Sequence, residues 1–242
     1  MKAVLLAGGL GTRLKSLTSS TPKCMISVKG KPVIQHNIEW IKKFGITEFL
    51  INLHHLPEVV MNYFGDGSKF DIDIIYSIER EPVGTAGGVK YFKKELKEPF
   101  LVWYADNLSN CKLNNLVRVH NEKKCLGTMA LYNRDDETAA KSGIVRLDEN
   151  NMITGYVEKP KVEELFTHLI GAGVIVFEPE ILDYIQDDIF QDFGKDILPK
   201  LVNKLYGYKM DSDEKLWWID TEEDLKRCEQ VLYTKESMNG KH

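Results

Sequence analysis

Cysteine is scarce in this sequence and never paired at short range. The four cysteines, Cys24, Cys111, Cys125 and Cys228, lie far apart with no C-x-x-C motif, so there is no disulfide framework to staple the fold. They are expected as reduced thiols in a cytoplasmic protein. Positive charge is not in surplus either. Lys and Arg number 32 against 36 Asp and Glu, for a net charge of −4, which excludes the basic field of a nucleic-acid-binding protein. No basic segment leads into an apolar one near residue 1, and no apolar run is long enough to span a bilayer, so no membrane partner is expected. Internal repeats, low-complexity tracts and linkers are also missing. What remains is a 242-residue chain with 43 % hydrophobic residues, enough for one large core. A single domain over 1–234 is expected, with 235–242 as a polar, frayed tail.

Short apolar runs alternate with helical patterns through the first half. Ala3 to Leu6, Glu48 to Leu53, Ile72 to Ile78, Phe100 to Tyr104 and Thr128 to Tyr132 read as strands. Val33 to Phe44, Pro57 to Phe64, Thr85 to Leu96 and Leu113 to Lys124 read as helices. This alternation predicts an α/β fold, three-layered and Rossmann-like, around a mainly parallel mixed sheet. The second half opens on a hairpin from Ile144 to Pro160 with a polar Asp-Glu-Asn-Asn turn, followed by a strand at Gly171 to Phe177. Helical stretches are expected at 179–185 and 195–204, and short strands at 205–210 and 216–219. A last helix, 221–233, has Thr221 as N-cap and Asp224 in the place of the usual capping-box glutamate.

Ligands in such sheets bind beyond the carboxyl ends of the strands, which directs attention to Leu5-Leu-Ala-Gly-Gly-Leu-Gly-Thr-Arg-Leu. Glycines after a strand let backbone N–H groups face an anion, and Thr12, Arg13 and the later Lys23 complement phosphate charge. Two familiar cradles do not fit. A Walker A string is missing, and the dinucleotide fingerprint fails because Leu14 stands where its third glycine belongs.

The loop followed by Pro22-Lys23 and Lys31-Pro32 resembles the signature of the sugar-1-phosphate nucleotidylyltransferases. The resemblance continues through Glu79-Arg-Glu-Pro-Val-Gly-Thr-Ala-Gly, Tyr104-Ala-Asp-Asn, Glu158-Lys-Pro, Gly171-Ala-Gly-Val and Trp218-Ile-Asp-Thr, in the family's order, to about residue 232. It implies the nucleotide-diphospho-sugar transferase fold and transfer of a nucleotidyl group to a sugar 1-phosphate, with loss of pyrophosphate. Leu6, Ala7, Gly8, Gly9, Gly11, Thr12 and Arg13 would then line the triphosphate, with Glu79, Gly84 and Thr85 around the nucleoside. Arg13 would neutralise the departing pyrophosphate, and Lys23 would sit between the reacting phosphates. Asp106 and Asp220 would hold Mg²⁺, Asp106 being counted with Arg13 and Lys23 as catalytic. Asn107, Gly143, Glu158, Lys159 and Gly173 would take the sugar phosphate. Two departures stand out. Ala105 replaces the usual glycine before Asp106, and Gly171 replaces a common asparagine. A homo-oligomer is compatible with this family.

Glu79 bears on the base. Ionised glutamate only accepts hydrogen bonds, and guanine presents two adjacent donors, whereas the glutamine common at this position suits a mixed edge. GTP with a mannose or heptose 1-phosphate is the leading expectation. CTP, UTP and dTTP remain open. A non-catalytic binder of nucleotide sugars is the rival class. An oxidoreductase domain is disfavoured by the failed fingerprint. The adjacent His54 and His55 would point to opposite faces of a strand, which favours a structural role over metal binding. Trp217 and Trp218 read as core and pocket wall.

Overall fold

The computed structural model describes residues 1–9, 18 and 21–231. Gly11, Thr12, Arg13 and the expected tail at 235–242 lie outside the described residues. The central strands are β1 (Ala3–Leu6), β4 (Glu48–Leu53), β5 (Asp73–Ile78) and β6 (Phe100–Tyr104). They run parallel in the order β6-β1-β4-β5. Antiparallel strands extend the sheet past β6: β11 (Leu169–Phe177), then β9 (Gly143–Leu147) and β10 (Ile153–Glu158). β8 (Gly127–Asn133) also pairs with β11, and β12 (Leu205–Lys209) runs parallel to β8.

Strand alternation sorts the core into two layers. Ala3 and Leu5 face the same cluster as Leu101 and Trp103, whereas Val4 and Leu6 face the cluster of Phe100 and Val102. Helices α1 (Val33–Lys42), α2 (Pro57–Phe64) and α4 (Leu113–Lys123) pack on the first face, and α3 (Gly84–Lys90) on the second. This is the three-layer, mainly parallel architecture that the alternation predicts. Ala105 is fully buried in the first cluster, so its methyl group packs into the core and does not project toward a ligand.

Several boundaries move. α3 ends at Lys90 and gives way to turns before Leu96, because Gly87 and Gly88 weaken its middle. A one-turn helix, α5 (Asp136–Ala139), follows β8 and is capped by Asp135, whose Oδ1 accepts from Thr138 N at 2.8 Å. The expected helix over 195–204 is instead one wide π turn, Phe193–Ile197, and a 3₁₀ segment, Leu198–Leu201, since Pro199 has no N–H to continue a regular ladder. The 179–185 stretch is likewise a 3₁₀ helix, Pro179–Tyr184. The terminal helix, α6 (Glu222–Val231), starts on the expected capping box: Thr221 N donates to Asp224 Oδ2 at 2.9 Å and Asp224 N to Thr221 Oγ1 at 3.1 Å.

Two small ribbons complete the fold: β2 (Ser27–Val28) with β3 (Lys31–Pro32), and β7 (Asn107–Ser109) with β13 (Leu216–Trp218), of which only β13 matches a strand expected from the sequence, at 216–219. Ile26, Val28, Val33, Leu108, Ile219 and Cys228 form a third cluster that clamps both ribbons to α6. Register decides what this achieves. Trp218 lies opposite Asn107 in antiparallel β13 and β7, so the chain leaving β13 passes the chain entering β7. Asp220 therefore arrives beside Asp106.

Candidate active site

The cleft opens over the carboxyl ends of β1 and β6. After β1 the chain turns through Ala7, Gly8 and Gly9. Leu6 and Ala7 are buried, Ala7 N donates to Asn52 O at 3.1 Å, and Gly8 N donates to Asn52 Oδ1 at 3.3 Å. A Cβ on Gly8 would sit 3.1 Å from that amide oxygen, so glycine allows the close approach. Gly9 lines the cleft.

Lys23 begins the 3₁₀ turn Lys23–Met25, and its side chain is 10 % exposed. Its Nζ lies 2.7 Å from Asp106 Oδ2 and 2.7 Å from Asp220 Oδ1. Burial by itself would lower the pKa of this ammonium. The two carboxylates outweigh burial and hold it above the ordinary lysine value. The carboxylates thus converge on one cation-sized point. Two hard oxygens suit Mg²⁺, which takes few protein ligands and fills its octahedron with water and phosphate oxygens. The donor set fits that ion once Lys23 yields the position.

Glu158 and Gly143 face each other across β10 and β9 on a second wall. Tyr156 Oη donates to Glu158 Oε2 at 2.6 Å. A Cβ on Gly143 would lie 2.0 Å from the Tyr156 oxygen, and one on Gly194 would lie 2.4 Å from Glu158 Oε2. Both glycines exist to let this pair sit flush with the wall. Lys159 takes a left-handed backbone, φ 49°, anchored by its N–H to Ser142 O at 2.8 Å, and its Nζ stays 3.8 Å from Glu158 Oε1. Gly173, φ 70°, sits where β11 changes register, with its missing Cβ facing Tyr104 at 3.2 Å. Asn107 also borders the cleft, whose volume is about 360 Å³.

Glu79 is placed apart, behind Gly8. It is 6 % exposed. Asn52 Nδ2 donates to its Oε1, and Val83 N donates to Oε2 at 3.2 Å. Burial raises its pKa, opposed by the Val83 N–H, the Asn52 amide and His54. Gly84, φ 78°, starts α3 and presses against the Gln191 carbonyl, which a Cβ would approach to 2.3 Å. The Thr85 hydroxyl is engaged within the protein: it donates to Asp192 Oδ2 at 2.9 Å and accepts from Phe193 N at 2.8 Å.

The structure therefore brings Lys23, Asp106, Asn107, Gly143, Glu158, Lys159, Gly173 and Asp220 around one cleft, with Gly9 at its edge. Glu79, Gly84 and Thr85 do not line the cleft; Thr85 is connected to it through Asp192, which does. Sequence reading missed Asn52, Tyr156 and Asp192. Asp192 Oδ1 accepts from Gly194 N at 2.9 Å and, through Thr85, ties that segment to α3. The Asp-Phe-Gly stretch after a loop was its only signal. His54 and His55 lie just past the end of β4, not on the strand, and each is tied to the backbone: His54 Nδ1 donates to Glu79 O and His55 Nε2 to Thr18 O, each at 3.0 Å. Trp218 lines the cleft and Trp217 packs on the third cluster. Gly171 also faces the cleft, with Met129 Sδ filling the space 3.0 Å from where its Cβ would be.

Sheet order, the cleft at the strand ends and the paired carboxylates together define the nucleotide-diphospho-sugar transferase fold. The structure matches UDP-glucose pyrophosphorylase from Acinetobacter baumannii with a TM-score of 0.82 at 20 % identity, covering 98 % of this chain and 95 % of that one. The nucleotidyl transferase family model matches residues 2–223, and the chain belongs to that family. It is 35 % identical over 235 residues to a UTP–glucose-1-phosphate uridylyltransferase of Synechocystis sp., covering 91 % of this chain and 60 % of that protein. It is 33 % identical over 226 residues to mannose-1-phosphate guanyltransferase 2 of Candida glabrata, covering 91 % of this chain and 61 % of that protein. The chain thus spans about three fifths of the length of these relatives.

Proposed function

We propose that this chain transfers the nucleotidyl group of a nucleoside triphosphate to a sugar 1-phosphate, forming a nucleotide sugar and pyrophosphate. The observation that carries the reading is the clasp of Lys23 Nζ by Asp106 and Asp220, 2.7 Å from each, in the cleft that also holds Glu158 and Lys159. The sugar phosphate is already an anionic nucleophile, so no side chain has to form a covalent intermediate. The protein's work is to hold two polyanions in line and neutralise them. Lys23 stabilises the crowded charge between the reacting phosphates, and Arg13 is assigned to the departing pyrophosphate. Glu158, oriented by Tyr156, accepts from the sugar hydroxyls, and Lys159 meets the sugar phosphate. Asp106 and Asp220 would hold Mg²⁺, which supplies Lewis-acid polarisation of the phosphate oxygens. Unpaired thiols at all four cysteines support a cytoplasmic setting. Among the described residues no helix is long and apolar enough to cross a membrane.

For the base we favour guanine. Each oxygen of Glu79 accepts one hydrogen bond within the protein and keeps a second lone-pair site for the donor edge of a base. The relatives include both uridylyl and guanylyl enzymes. The test is a matrix of each nucleoside triphosphate against several sugar 1-phosphates with Mg²⁺, reading pyrophosphate. Turnover with GTP and a mannose or heptose 1-phosphate is expected. Turnover with UTP and none with GTP overturns the base assignment. Tight nucleotide-sugar binding with no pyrophosphate from any pair would make the chain a non-catalytic binder.

A further inference from the structure

Away from the catalytic cleft, between the end of α4 and the start of β8, a second cavity of about 450 Å³ is lined by Cys125, His120, Glu178, Glu180 and Lys124. Of the four cysteines only Cys125 is not buried. Burial pushes the Cys24 and Cys228 thiols up to about 12 and raises Cys111 well above its usual value. Those three are poor nucleophiles on grounds of access and ionisation.

Cys125 has company of a particular kind. Its Sγ lies 3.8 Å from His120 Nδ1 and 3.3 Å from Thr128 Oγ1, and its S–H donates to Gly127 O at 3.1 Å. The Thr128 hydroxyl is also 3.2 Å from His120 Nδ1, so it touches both groups. His120 is 1 % exposed, and its Nε2 has no hydrogen-bond partner although Glu178 Oε1 is 3.3 Å away, the two being in ion-pair range but out of line. A buried ring nitrogen left this way calls for a reason. Burial holds the imidazole pKa below its ordinary value against the pull of Glu178, which favours the neutral ring, and Glu178 is the group placed to offset that cost when the ring takes a proton. In the tautomer that carries its N–H at Nε2, on the Glu178 side, the lone pair at Nδ1 is turned toward the Cys125 thiol and the Thr128 hydroxyl. Nucleophile, base and orienting carboxylate then follow one another in space.

We propose that Cys125 is a thiol–disulfide exchange site, with His120 as its proton acceptor and Glu178 as a positioning residue, and that its co-reactant is a low-molecular-weight disulfide entering through this cavity. The Cys125 proton passes to His120 Nδ1. The thiolate attacks one sulfur of the small disulfide, a protein–small-molecule S–S bond forms, the original S–S bond breaks, and the leaving thiolate recovers the proton from His120. Lys124, Glu178 and Glu180 at the mouth suit a disulfide carrying both carboxylate and ammonium groups.

The experiment exposes the folded protein to oxidised glutathione at neutral pH and maps adducts by peptide mass spectrometry. One mixed disulfide is expected, on Cys125, with Cys24, Cys111 and Cys228 untouched. Glu178→Gln, on a partly exposed side chain, and His120→Gln should each slow adduct formation, the latter about tenfold or more. Circular dichroism checks that each variant remains folded. Should His120→Gln unfold, the Glu178→Gln rate decides alone. Cys125→Ser should take no adduct and keep its pyrophosphate release. An unmodified Cys125, adducts spread over all four cysteines, or an unchanged rate in folded Glu178→Gln would each overturn the proposal.

Discussion

Lys23 Nζ and Asp106 Oδ2 are 2.7 Å apart, and Asp220 takes the same ammonium from the other side at the same distance. The lysine occupies the point where the two carboxylates would hold a cation. A divalent ion and the ammonium compete there, since like charges at such separations repel strongly. Lys23→Met should therefore bind Mn²⁺ without nucleotide about tenfold or more tightly than the wild type. Electron paramagnetic resonance of free Mn²⁺ measures this directly. Equal affinities would separate the lysine from the metal position.

Turnover should depend on the same three side chains. Lys23→Ala and Asp106→Asn are each expected to lower pyrophosphate release by about 10²–10³-fold while the far-ultraviolet circular dichroism is retained. Near-wild-type rates in either folded variant would contradict the assignment. Arg13→Ala carries the same expectation, with its loss read in the reverse reaction with pyrophosphate.

Stability at alkaline pH should follow Lys23 in a defined direction. Its folded-state pKa is raised because the two carboxylates overcome burial. A raised lysine contributes stability that is fully present below the unfolded value of 10.5 and is lost as pH rises through the higher folded value. Urea unfolding of wild type and Lys23→Met should thus show a difference that is constant at neutral pH and drifts against the wild type above about pH 10.5. A difference that is flat across that range would show the clasp to be energetically idle.

Glu79→Gln tests the buried acceptor pair beside Asn52 and Val83. Gly8 N–H, the Asn52 amide and Val83 N–H form a chain of donors that ends on the two carboxylate oxygens. A glutamine has one acceptor oxygen, so however its amide and that of Asn52 are turned, one donor faces another. The substitution should cost about 1–3 kcal/mol in denaturant unfolding, the range for an unmet buried polar group. In the transferase assay it should also weaken preference for GTP over UTP.

Much of the fold was legible because its signals are local. Glu48 to Leu53 and Pro57 to Phe64 match strand and helix to the residue, and Thr221 with Asp224 makes its box. The site's meeting points were not local. Asp220 reaches Asp106 through the β13–β7 register, and although the sequence predicts the strand at 216–219, its three-residue partner β7 carries too little periodicity to announce itself or the pairing. Asn52 sits in an unremarkable apolar strand, and only its burial beside Gly8 and Glu79 gives it a role. Asp192 follows an irregular loop, where a capping aspartate looks like any other.

The three charged groups of the clasp come from the first, middle and last parts of the chain, and the last arrives by way of the β13–β7 ribbon. A growing polypeptide can form β1, β4, β5 and β6 long before residue 220 has been made. Until then Lys23 faces Asp106 alone. The meeting of the two carboxylates is thus completed only when the β13–β7 ribbon joins strands that are already paired, which makes it a late step of assembly and ties it to the third cluster rather than to the main sheet.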